Sequence, residues 1–335
     1  MEHFSIRLRQ ARKIMGLSLG KLAEKINSPI TKQSLSRYEA GIMKPKADVL
    51  AALATALDIS IDYFEGKNMN LDELMLRTTS HGQLSEEELL EVEAVLSFRA
   101  EQYLKLECQS GMAGHFVNPL EGIVVSCLDE AIAAAELLRE KWHCGDGPIP
   151  SILRLMERKG IKMIDTSLPE RVIGLSTWAD NQYPLVILDA RPEKTTVERL
   201  RFTAGHELGH LLLTFPQWAN VEQLCNQFSS FFLFPKKTFL EELGNMQRED
   251  ITIEELTDFR EMYGISIAAQ IHEAWDLKLI SHEKYEKWFE KVIKGNILEE
   301  GWGQYKFPET FGRERRMRAI IKMKENHPNN NCYEE

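Results

Sequence analysis

The chain has 335 residues, 43% of them apolar, and a formal net charge of −10; that is enough for two or three domains with sizeable cores, and too acidic for wholesale coating of nucleic acid. No apolar run approaches the roughly 20 residues of a membrane span, and the opening MEHFSIRLRQARKIMG lacks the apolar core of a signal peptide. Cys108, Cys127, Cys144, Cys225 and Cys332 are scattered, with no C-x-x-C pair, which fits reduced thiols and a cytoplasmic location with no membrane partner.

The charge is unevenly distributed. Residues 1–65 carry ten basic and seven acidic side chains, a net +3, and the remainder is −13. A mildly basic head on an acidic body is expected to meet phosphates through the head alone.

Residues 1–65 read as five short helices. Ile6, Leu8, Ala11 and Ile14 give the first apolar stripe, Gly16 closes it, and Ser18 can cap the next helix. That helix buries Leu19, Leu22, Ala23 and Ile26. After a turn at Asn27-Ser28-Pro29, Thr31 is an N-cap for Lys32 to Ala40. Pro45 opens a helix with Val49, Leu50, Leu53, Ala54 and Leu57 on one side, and Ile59, Ile61, Tyr63 and Phe64 finish the core. Two short helices joined by a turn and wrapped by others make a helix-turn-helix plan. The pieces RLRQARKIMGLSLGKLAEKI, ITKQSLSRYEAGIMKP and VLAALATALDISIDYF resemble the XRE/Cro-type repressors. The resemblance implies that Thr31 to Tyr38 is the helix that enters the major groove. Lys32, Gln33, Ser34 and Ser36 would face base edges or nearby phosphates, and Arg37 and Lys44 phosphates, with Leu35 in the core. The implied partner is a DNA operator held by residues 1–66.

Gly66 to Leu84 is polar without a clear period and reads as a linker. Ser85 and Glu88 form a capping box for a helix striped with Leu89, Val92, Leu96, Tyr103 and Leu106. That stripe suits packing on a neighbouring domain, or a homodimer contact, since such repressors read two half-sites. Gln109 to Pro119 reads as mobile. Leu128 to Trp142 is a strong helix, Ile152 to Lys159 another, and Lys162 to Ile164 a short strand. Gly174–Ala179 and Tyr183–Leu188 read as antiparallel strands around Asp180-Asn181, with Pro184 placing the second near an edge. An extended substrate could then add to that edge.

Thr195 and Glu198 read as a capping box for a helix carrying His206-Glu207-x-x-His210. Residues four apart lie one turn apart on one face, so both imidazoles can reach one cation with Glu207 beside them. Gly205 and Gly209 share a face that admits a close neighbour. The next helix, from about Asn220 to Pro235, offers Glu222 as a third ligand and Asn226, one turn on, to orient a ligand from outside the coordination sphere. Phe228, Phe231, Phe232, Phe234 and Cys225 read as core.

From about Ala131 to Trp288 the chain resembles the ImmA/IrrE zinc metallopeptidases. KWHCGDGPI, GLSTWAD, ERLRFTAGHELGHLLL, the E-x-x-x-N of 222–226, FFLFP and ISIAAQIHEAWDLKLIS carry the resemblance, although Leu224-Cys225 stand where the family has Glu-Ala. It implies an α+β fold, mainly helical with a small antiparallel sheet. It further implies that His206, His210 and Glu222 bind Zn2+ and that Glu207 is the catalytic base. Three protein ligands leave a fourth position for water, which zinc acidifies towards neutrality. Tyr263, His272 and Tyr183 are candidates, by residue type alone, to stabilise an oxyanion. Thr252–Tyr263, Ser266–Leu277 and Ser281–Ile293 read as further helices, and FGRERRMRAIIKMKEN as a solvated basic helix with a frayed end. The expected layout is a helix-turn-helix domain at 1–66, a linker and connecting helix at 67–120, a metallopeptidase domain at 121–295 and a basic tail at 296–335.

Two functional readings lead, ahead of a third, a peptidase with a relict DNA-binding domain. One is a transcription regulator with its own zinc endopeptidase, cutting a partner repressor or its own segments 66–84 and 109–119. The other is a non-enzymatic DNA-binding regulator, such as the antitoxin of a toxin–antitoxin pair, with a metal-stabilised sensor domain.

Overall fold

The computed structural model describes residues 2–26, 30–59, 61–64, 71, 75–78, 85–170 and 172–326. The expected turn at 27–29, most of the expected linker, and 327–335 lie outside these. The chain forms two compact units, one of Met1–Asp72, Gln83–Lys105 and Ala179–Asn181, the other of Glu73–Gly82, Leu106–Trp178 and Gln182–Glu335.

The first unit holds α1 (Glu2–Ile14), α2 (Leu19–Lys25), α3 (Lys32–Glu39) and α4 (Ala47–Leu57). The expected fifth helix is a single 3-10 turn, Ile61–Phe64. Ser18 accepts from the Lys21 amide and Thr31 from the Ser34 amide, so both short helices start at side-chain caps. Leu8, Leu22, Leu35, Leu53, Leu57, Tyr63 and Phe64 close the core, while Ile6 is 40% exposed. Two arginines complete it. Arg12 forks onto both oxygens of Glu39 at 2.6 and 2.7 Å and donates to the Leu17 carbonyl. Arg7 bonds the Tyr63 carbonyl at 2.8 Å and pairs with Glu101 of α5 (Glu86–Ser110) at 2.6 Å. The capping box at the start of α5 is present, with Ser85 and Glu88 exchanging bonds of 2.8 and 3.2 Å.

The second unit packs α6 (Leu128–Trp142), α8 (Val197–Leu212) and α9 (Val221–Leu233) around a core rich in phenylalanine. Gly205 and Gly209 let α9 approach α8 closely: a Cβ at Gly205 would stand 2.5 Å from Ser229 Oγ, and one at Gly209 would stand 3.2 Å from Cys225 Sγ. A sheet ordered β1–β3–β4–β2 lies beside α8, from strands β1 (Met75–Thr78), β2 (Lys162–Asp165), β3 (Val172–Ala179) and β4 (Tyr183–Leu188).

The α+β class stands, with three corrections to the sheet. It is mixed rather than antiparallel. The β2 and β4 strands run parallel, Lys162 opposite Leu185 to Asp165 opposite Leu188, because β3 forms the crossover between them. Neither is β4 an edge. It lies between β3 and β2, and Pro184 is tolerated because it precedes the first residue paired with β2. Third, the expected linker contributes a strand, β1, antiparallel to β3.

Buried ion pairs tie distant segments to α8 and to α7 (Ile152–Arg158). Glu198 does not form a capping box. Thr196 caps α8 instead, accepting from the Arg199 amide, and Glu198 turns inward to Arg260 and the Tyr305 amide at 3.2 and 2.9 Å. Arg201 pairs with Glu309, which also accepts from the Ile152 amide at the start of α7. Beyond α9 come α10 (Lys236–Leu243), α11 (Ile253–Tyr263), α12 (Ile267–Asp276) and α13 (His282–Trp288), followed by a π-helical turn at Phe289–Ile293. The basic tail helix α14 (Arg313–Asn326) is fastened rather than solvated all round. Arg313 bonds Glu107 at 3.0 Å, and Met317 is buried. Segment 109–119 is fastened too: Asn118 donates to the Leu212 carbonyl at 2.9 Å, and Lys324 to the Ser110 carbonyl at 3.0 Å.

Candidate metal centre and nucleic-acid interface

The middle of α8 is buried, and His206 and Glu207 are fully so. One turn after His206, His210 turns its Nε2 to within 3.0 Å of the His206 Nε2. The first turn of α9 brings Glu222 to the same point, its carboxylate 3.3 Å from His206 Nε2 and 3.2 Å from His210 Nε2. Donor atoms of these three residues all lie within 4.8 Å of one another, the one such cluster with metal-ligating potential among the described residues.

Chemistry and spacing both suit a cation. Asn226 Oδ1 lies 2.9 Å from His206 Nδ1. An amide oxygen can only accept, so Nδ1 carries the hydrogen and Nε2 keeps its lone pair for a metal. Four ligands about 2.0–2.1 Å from a tetrahedral ion stand about 3.4 Å apart, close to the 3.0–3.3 Å seen here. When the imidazoles carry a hydrogen on Nε2 in the metal-free cluster, their hydrogen bonds hold the Glu222 carboxyl well below the usual range; a cation would take the place of those hydrogens. The Glu222 side chain is 60% exposed, so the cluster opens to solvent on that side.

Glu207 meets a partner that sequence reasoning missed. Ser176 of β3, fully buried, donates its hydroxyl to Glu207 Oε2 at 2.6 Å. Two residues earlier, Gly174 lets β3 close on α8, since a Cβ there would stand 2.5 Å from Thr203 Cγ2. The available signal was a pair of hydroxyls, Ser176 and Thr177, interrupting an otherwise apolar strand. The suggested oxyanion donors are occupied elsewhere in two cases. Tyr263 stacks on Phe234 at 3.8 Å within the core, and His272 pairs with Asp276 at 3.3 Å beside Trp275 and Tyr285. Tyr183, half-buried at the start of β4, has Lys162 Nζ 6.0 Å from its ring centre.

In the first unit, α3 turns Lys32, Gln33, Ser36 and Arg37 to the surface, and Lys44 is exposed in the loop that follows. Ser34 is half-buried, with its hydroxyl 3.1 Å from Thr31 Oγ1 and so engaged in the cap. Leu35 is fully buried. The residues assigned to DNA are thus exposed, except Ser34.

Residues 8–64 match the family model described as helix-turn-helix. The N-terminal unit contains a helix-turn-helix domain. An uncharacterized HTH-type transcriptional regulator, YobD of Bacillus subtilis (strain 168), is 48% identical to the chain over 60 residues. That stretch is 18% of this chain, which spans about half of that relative's length, 52%. No described helix is long and apolar enough to cross a membrane.

Proposed function

We propose that the chain is a DNA-binding transcription regulator whose second unit is a zinc-dependent endopeptidase, acting on a helix-turn-helix repressor, a partner's or its own. The convergence of His206, His210 and Glu222 with Glu207 beside them carries the peptidase part. The helix-turn-helix match and the exposed polar face of α3 support the DNA part, with the operator as the partner.

Zinc at the cluster would supply an acidified water and a polarising charge for the peptide carbonyl. Glu207 would take a proton from the attacking water and pass it to the leaving amine. Ser176 anchors one of its carboxylate oxygens, which keeps the base in a single orientation. Asn226 fixes the His206 tautomer. The solvent-facing side of the cluster, at Glu222, gives a peptide access.

Incubating zinc-loaded chain with purified helix-turn-helix repressors tests this. Time-dependent loss of a repressor band, stopped by a chelator and absent in Glu207→Gln, is expected. Equal cleavage by both proteins, or cleavage by neither, would sink the peptidase reading. Co-purification with a small basic protein, unaffected by Glu207→Gln, would favour the antitoxin reading instead. For the DNA part, Arg37→Ala is expected to weaken operator binding and lower its salt slope by about one.

A further inference from the structure

The backbone of β1 occupies the one side of β3 that β4 leaves open. Met75 stands opposite Ser176, Leu76 opposite Leu175 and Arg77 opposite Gly174, antiparallel, with a register shift before Thr78. Ser176 is the residue whose hydroxyl holds Glu207. A chain added to this side of β3 therefore crosses the strand at the position that touches the base. The strand also comes within 8 Å, Cα to Cα, of α8, which carries the metal cluster.

Bare strand edges present rows of unsatisfied amides and carbonyls and recruit extended peptides through backbone bonds. Without β1, the β3 edge would be such a row beside Glu207. With β1 in place, an incoming peptide meets β1 instead. The hold is reversible by construction. Ordering a short segment costs much of what its backbone bonds return, so the tether supplies what keeps the strand in place.

Resting on the peptidase reading above, we propose that the β3 edge, Val172–Ser176, is the peptide-docking strand of this site and that Met75–Thr78 is its internal occupant, a tethered strand that substrates displace. The partner class is an extended peptide read mainly through its backbone, antiparallel to β3. The substrate edge is thus β3, and the occupant comes from a segment with no regular pattern in the sequence.

The test uses the full chain carrying Glu207→Gln, so that nothing is cut. A labelled peptide of residues 70–84 is titrated onto it in trans, with and without Leu76→Pro/Arg77→Pro, which removes an amide at each parity of the strand. A segment tethered at an effective concentration near millimolar competes strongly with such a peptide, so the proline variant is expected to bind it at least about tenfold more tightly. Amide exchange checks that the fold survives. Residues 172–176 should lose protection in the variant and recover it with peptide, while α8 and α9 stay protected. Replacing 75–78 by Gly-Ser-Gly-Ser should give the same tightening. Equal affinity in both forms, or no binding by either, overturns the proposal. A zinc-dependent self-cut within 75–78 of the Glu207-intact chain also overturns it, by making the segment a substrate. Failure of the peptidase reading would show separately, as absent cleavage in every Glu207-intact form while the edge still binds peptide.

Discussion

Asn226 sets which nitrogen of His206 faces the cluster, at a cost of one hydrogen bond of 2.9 Å. Asn226→Ala removes that restraint without touching a ligand. Such outer partners are worth about 10–100-fold in metal affinity, so zinc binding, read by competition with a chromophoric chelator, is expected to weaken by that factor. Unchanged affinity would contradict the role. Glu273 of α12 is a different kind of residue. Burial pushes its carboxyl up to about 7, against hydrogen bonds from Ser230 and Gln227 and the neighbouring His272. An unfolded glutamate titrates near 4.5. The folded chain therefore keeps a proton that the unfolded chain has lost, and stability falls as pH rises from about 4.5 through about 7. The full loss is roughly 3 kcal/mol. Glu273→Gln is expected to melt with the parent at pH 4.5 and several degrees above it at pH 8; parallel melting curves across that range would contradict this. Little of this chemistry is legible in the sequence. His206, Glu207 and His210 announce themselves because helical spacing is local. Ser176 lies 31 residues from Glu207, and the hydroxyl pair that marks its strand does not say which residue it meets.

At the level of helices and strands, the metal site depends on how closely α8 and α9 pack, since the third ligand arrives on the second helix. Gly205 sits where they nearly touch. Gly205→Ala would place a methyl 2.5 Å from Ser229 Oγ and 3.4 Å from the Ser229 Cα, and Ser229 is itself held by a bond to the Phe202 carbonyl. Overpacking of this kind costs about 1–3 kcal/mol, which thermal melts should show as a drop of several degrees, with Gly209→Ala milder because its nearest contact is 3.2 Å. An unchanged melting temperature for Gly205→Ala would mean that α9 can shift freely. Helix starts are readable in advance, as Ser18, Thr31, Thr252, Ser266 and Ser281 all cap where their residue type suggests. Strand order is not. Pro184 misleads because its missing amide matters only if the position is paired, and β1 is a four-residue stretch in a polar run, too short to show a period.

The whole molecule combines a mildly basic helix-turn-helix segment, residues 1–65, with a larger acidic remainder. Its charge division and two cores follow from composition and pattern. The buried pairs that stitch the larger unit together, Arg201 with Glu309 and Arg260 with Glu198 and Glu299, join residues far apart in the chain and leave no local trace. They also make 296–326 part of the framework that supports α8, where the sequence suggests only a tail. Everything proposed for the second unit depends on a metal at its cluster. Elemental analysis of the purified full chain beside His206→Ala, both expressed with ample zinc, tests this most directly. One zinc per chain is expected in the parent and background levels in the variant; equal zinc in both, or none in the parent, would contradict the metal centre and the peptidase built on it.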